Sequence, residues 1–167
     1  MGEVVATGDG KYRGGEEKPM WVKPGDVVVY QLGGPQIENS KFKVDGVPLK
    51  VFHQGDIIAK LSAKKITKDT FCVIGNWVLL EVKLSQGLIL VPEKHAPSEE
   101  FKFIVHQKGE AVNIPINVGD QVYPERGRCL PVEIDGITLV YTHQDFIHGV
   151  LENGETDVED TVPTVGG

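Results

Sequence analysis

Two short stretches carry the residue types from which chemistry could be built. His53-Gln54 and His143-Gln144 each stand just ahead of an aspartate, Asp56 and Asp145. A paired imidazole could sense pH or hold a metal ion. A metal site needs further His, Cys or carboxylate groups at ligand spacing, and neither histidine has them. His143 and His148 lie five apart, which does not place them on one face of a strand. Both His-Gln pairs are therefore expected as turn residues that recur with their surroundings. "GDGKYRGG", residues 8–15, is glycine-rich but has no Gly-Lys-Ser/Thr and no helix signal after it, so it reads as a surface loop, not a phosphate cradle. "AKKITK", residues 63–68, is the densest basic stretch and reads as a solvated linker. Cys72 and Cys129 imply no disulfide. Asp and Glu are plentiful, but none is paired by motif into an acid–base dyad. The expectation is a non-enzymatic protein with no catalytic, cofactor-binding or metal-ligating residues.

Charge sharpens this. The 167 residues carry a net charge of −7. Five acids, Glu152, Glu155, Asp157, Glu159 and Asp160, fall in the last sixteen residues with no base among them. Removing them takes the net charge from −7 to −2, so the body is near neutral. No basic stripe interleaved with aromatics suggests a nucleic-acid groove. No apolar run approaches the roughly 20 residues a membrane-crossing helix needs. No basic-then-apolar leader is visible.

The elements that must position any site are short strands. Val/Ile/Leu runs alternate with turns rich in the 20 Gly and 10 Pro, which predicts an all-β fold. Thirteen strands are expected: 3–7, 26–31, 41–44, 49–53, 57–61, 70–74, 77–83, 88–92, 101–107, 121–123, 131–134, 137–141 and 146–151. Asp45-Gly46 and Asp135-Gly136 sit between alternating runs and predict type I′ hairpins, because both central residues of that turn need positive φ.

The elements also repeat. Gly25-Asp26 enters a strand, Val44-Asp45-Gly46 forms a hairpin, and "LKVFHQGDIIAKL" (49–61) follows. Gly119-Asp120, Ile134-Asp135-Gly136 and "TLVYTHQDFIHGVL" (138–151) give the same order, at offsets of 94, 90 and 89 residues. Three parts are expected: residues 1–63, residues 64–152, and an acidic tail, 153–167, whose composition favours disorder.

These motifs bring a family into view. "GEVVATGDGKY" (2–12), "VKPGDVVVY" (22–30) and "VDGVPLKVFHQGDIIAKL" (44–61) resemble, in order, most of a GroES-type co-chaperonin of the chaperonin-10 family. More weakly, "NWVLLEVKL" (76–84), "GLILVP" (87–92), "VGDQVY" and "DFIHGVLE" (145–152) resemble the same family across a whole barrel. The resemblance implies two tandem GroES-like, OB-like irregular β-barrels, the first lacking its N-terminal strand. It also implies ring closure by the first strand of one subunit beside the last strand of its neighbour. The zinc alcohol dehydrogenases share a GroES-like domain, but no nucleotide-binding half or Cys/His constellation accompanies it here.

In that family a small hydrophobic tip on a long flexible loop grips the chaperonin. The first part has no such loop, and Leu84-Ser85-Gln86-Gly87 in the second reads as a hairpin turn. Leu88, Ile89, Leu90 and Val91 then read as a strand buried on both faces or as a binding edge. With Val158, Val162 and Val165 in the tail, they are the candidate protein-interaction residues. A barrel short of a strand exposes unpaired backbone, so partner chains are expected. The reading this favours is a structural cement or decoration subunit on a larger shell such as a bacteriophage capsid. Its partners would be copies of itself and a shell protein, and its location the virion surface. The alternative is a co-chaperonin capping a GroEL-type chaperonin, in the cytoplasm.

Overall fold

The computed structural model describes residues 1–10, 15, 17–31, 41–84 and 101–151. Its strands in chain order are β1 (Gly2–Glu3), β2 (Val27–Tyr30), β3 (Lys41–Val44), β4 (Val47–Lys50), β5 (Ile57–Leu61), β6 (Phe71–Val73), β7 (Trp77–Leu84), β8 (Phe101–Lys108), β9 (Gln121–Pro124), β10 (Leu130–Ile134), β11 (Ile137–His143) and β12 (Ile147–Leu151). Three single 3₁₀ turns, and no α-helix, complete the described residues. The fold class is all-β, as the alternation implies.

Three sheets form. One runs β1-β2-β5-β6, one is the β3–β4 hairpin, and one runs β10-β11-β7-β8-β9-β12. Both Asp-Gly turns take the expected geometry: Asp45 and Gly46 have φ 51° and 80°, Asp135 and Gly136 have 52° and 75°. Val44 therefore pairs with Val47, and Ile134 with Ile137. The two-residue turn starts β4 at Val47, earlier than the expected 49, and Phe52 and His53 leave the sheet.

The Gly-Asp turns are also built alike. The Asp26 carboxylate accepts from Lys23 N at 3.0 Å, and that of Asp120 from Asn117 N at 2.7 Å. Each turn delivers its strand to the same partner register. Gly2 and Glu3 face Val28 and Val27, while Phe103 and Ile104 face Val122 and Gln121.

The expected hairpin turn at Leu84–Gly87 lies, but for Leu84 itself, outside the described residues. Leu84 pairs with Phe101, and β7 and β8 run antiparallel over their whole length. Sixteen residues, 85–100, separate them. The expected strand over Leu88–Pro92 lies outside the described residues.

The core follows the strands. Val78, Leu80, Val105, Ile116 and Val122 are buried on one face of β7, β8 and β9. On the other face of β7, Trp77 and Leu79 join Ile134 and Leu139 and meet Ile58, Ala59, Leu61, Phe71 and Val73 from β5 and β6. Burying each such side chain contributes roughly 1.5–3 kcal/mol. This cluster crosses from the four-stranded to the six-stranded sheet, whereas the lysine-rich segment expected as a linker joins β5 to β6, antiparallel neighbours within the four-stranded sheet. That segment is itself fastened, since Lys68 N donates to the Asp135 carboxylate at 2.7 Å.

Candidate functional site

The His-Gln pairs sit at two matching corners, where a 3₁₀ turn leads into β5 or β12. His53 Nδ1 accepts from Gly55 N at 3.1 Å, and His143 Nδ1 from Asp145 N at 3.3 Å. Each ring caps its own turn. Each glutamine is buried and pins the long loop across from it. Gln54 Oε1 accepts from Trp21 N at 3.2 Å, and Gln144 Oε1 from Asn113 N at 2.9 Å. The corners are structural, as their recurrence implied. No cluster of three or more His, Cys, Asp or Glu able to hold a metal exists among the described residues. Gln144→Ala is expected to cost about 1–3 kcal/mol, because it strands a partly buried backbone N–H. A urea titration checks this, and a midpoint equal to wild type would remove the pinning role.

Burial pushes the Cys129 thiol above its ordinary pKa, and a hydrogen bond with Thr142 offsets part of that rise. It stays protonated at neutral pH, which is the inert form. Cys72 is exposed, and both thiols are free.

The candidate interaction residues Leu88, Ile89, Leu90 and Val91, in the connection 85–100, lie outside the described residues. Val158, Val162 and Val165 lie outside them too. One surface feature was not foreseen as a site. A groove of about 900 Å³ opens between β1 and the β3–β4 hairpin, lined by Val4, Val22, Val28, Tyr30, Phe42 and Leu49 among others. Around it Phe42, Val44, Val47 and Val51 are 44–63% exposed. No helix of the described residues is long and apolar enough to cross a membrane.

The described residues make an all-β fold built on Gly-Asp turns and Asp-Gly hairpins. Comparison with known proteins narrows the class. Residues 1–61 match the family model of the chaperonin 10 Kd subunit. The chain is 44% identical over 64 residues to a co-chaperonin GroES of Ectopseudomonas mendocina (strain ymp), covering 38% of this chain and 63% of that one. It is 45% identical over 60 residues to the co-chaperonin GroES of Lactobacillus helveticus (strain DPC 4571), covering 35% and 58%. With that of Azotobacter vinelandii (strain DJ / ATCC BAA-1303) the figures are 43% over 63 residues, 37% and 62%. The chain thus spans about three fifths of the length of the curated relatives it matches. The resemblance to the chaperonin-10 family is borne out over residues 1–61, and the fold is GroES-like.

The same findings overturn the cement-subunit reading. The relatives are named co-chaperonins, not capsid components, and nothing supports a shell protein partner or a virion location. That reading rested on a gripping loop taken to be lost from both halves and on a first barrel short of a strand. The pairing of Leu84 with Phe101 leaves sixteen residues there.

Proposed function

We propose that the chain is a co-chaperonin of the GroES type, a non-enzymatic subunit that assembles with copies of itself and docks on a GroEL-type chaperonin in the cytoplasm. The observation that carries this is the chaperonin-10 match over residues 1–61, with relatives named co-chaperonin GroES. The β7–β8 connection supports it. It is long enough for a gripping excursion and contains the apolar run Leu88-Ile89-Leu90-Val91 between Gly87 and Pro92. Those four residues are the proposed contact with the chaperonin, and Val158, Val162 and Val165 are proposed contacts to a partner chain.

The test is capture of the full chain on an immobilised GroEL-type ring. ADP-dependent retention is expected, together with its loss in Leu90→Asp, which puts a charge into the contact at a cost of several kcal/mol. Equal retention with and without ADP, or no retention at all, would reject the reading.

A further inference from the structure

The apolar groove beside β1 has the shape of a strand's vacated place. The six-stranded sheet supplies the comparison. There β7 lies between β8 and β11, paired to both. In the amino-terminal unit β1 holds the β8 position, in the same register against its neighbour. β3–β4 holds the β10–β11 position, with the same Asp-Gly turn. Between β1 and β4 no described residue takes the place of β7, and the groove runs there. β1 pairs with β2 alone and β4 with β3 alone among the described residues, so both facing edges have open hydrogen-bonding positions.

Three contrasts mark this edge as open. Val44 is 48% exposed, whereas Ile134 at the matching hairpin position is 1% exposed. Gly109, just after β8, is packed against the backbone of Ile74 and Gly75, the corner that leads into β7. Gly8, which holds the same place after β1, has nothing within 4 Å of a Cβ. Lys41, Lys43 and Lys50 line the groove, where the other hairpin has Pro131, Glu133 and Val140. Lys50 matches Val140, which faces Leu80.

We infer that the groove between β1 and β4 is a docking slot for an extended segment of a separate polypeptide, about eight residues long, patterned like β7 and carrying a carboxylate opposite Lys50. Main-chain pairing to both edges would supply affinity, and alternate apolar side chains would supply specificity. The slot also continues an existing junction. Ahead of β7, the chain pairs β6 with the outer edge of β5 before turning at Ile74-Gly75-Asn76. The chain's own strands are poor occupants. β7 is locked between β8 and β11, and β8 to β12 are held in the same six-stranded sheet. The inference rests on the equivalence of the two units and not on chaperonin binding.

The experiment uses the full chain and two synthetic peptides. One has the sequence of residues 71–84, and the other is the same with Leu80→Glu. Hydrogen exchange in the β4 amides is expected to slow by about tenfold or more when peptide is added. The Leu80→Glu peptide is expected to bind more tightly, with an advantage that fades at high salt. Gly8→Val should fold normally and lose peptide binding, because its side chain occupies the space of the Ile74-Gly75 corner. Three results would overturn the inference. One is no slowing with either peptide. Another is β4 amides already protected without peptide, which would mean that the tail or a second copy fills the slot. The third is Gly8→Val binding as well as wild type. No advantage for the Leu80→Glu peptide would overturn the carboxylate requirement.

Discussion

Gly109→Val is expected to destabilise the fold by about 4–5 kcal/mol, while Gly8→Val stays within about 0.5 kcal/mol of wild type. Both glycines follow a strand in the same register, and only their surroundings differ. A Cβ on Gly109 would overlap the Gly75 carbonyl oxygen and the Ile74 carbonyl carbon. Those are backbone atoms and cannot swing aside as a side chain would. Overpacking alone costs roughly 1–3 kcal/mol, and more when the neighbours are rigid. The same displacement disturbs a tight set of hydrogen bonds. Gly109 N donates to Trp77 O at 2.9 Å, Ala111 N to Gly75 O at 3.0 Å, and Gly75 N to the Glu110 carboxylate at 2.9 Å. Each is worth about 1 kcal/mol. Against a total stability of about 5–15 kcal/mol this loss is severe, and a melting point lower by roughly 10 °C or more should follow. Thermal melts of the two variants decide it. If Gly109→Val melted within a few degrees of wild type, the close approach would not matter energetically.

That glycine pair also shows where sequence reasoning reached and where it stopped. Turn chemistry was legible because it is local. Asp45-Gly46 and Asp135-Gly136 must adopt positive φ wherever the chain goes, and alternation on either side then sets the strands. β5 and β3 fall at 57–61 and 41–44 as the pattern implies. The matched His-Gln corners were legible as a recurrence, but their use was not, because Gln54 and Gln144 act on backbone about thirty residues away.

Pairing partners across long connections were less visible. Leu88–Val91 has strand composition, so the eye joins it to β7 through a short turn. The true partner of β7 lies at 101–108, and its identity depends on register that local pattern does not encode. The expected tight turn argued against a gripping loop and, with the missing first strand, favoured a shell role. The groove beside β1 was half legible. A missing strand could be inferred from the repeat, but the lysines lining its place, and the open space at Gly8, are facts of three-dimensional position.

Trp77→Ala is expected to cost about 3–5 kcal/mol and to loosen both sheets together. Trp77 opens β7, is 8% exposed, and belongs to the cluster shared by β5, β6, β7, β10 and β11. Tyr141 and His143 meet it edge-on, with centroids at 5.7 and 5.4 Å. Its indole Nε1 donates to Gly55 O at 3.0 Å, which ties the corner before β5 directly to β7. Removing the ring leaves a cavity that the stiff strands cannot close and a carbonyl without its donor. Trp77→Phe separates the two effects. It keeps most of the apolar volume and loses the hydrogen bond, so a smaller cost of about 1–2 kcal/mol is expected. Hydrogen exchange read strand by strand checks the coupling. Protection should fall in β5 and β6 as much as in β10 and β11, because the two sheets share this core. If β10 and β11 loosened while β5 and β6 kept wild-type protection, the units would be independently stable and the junction would only join them. A loss shared across both sheets would mean that the first unit, with its open groove, depends on the second for its stability, which suits a fold that keeps one strand position free for a partner.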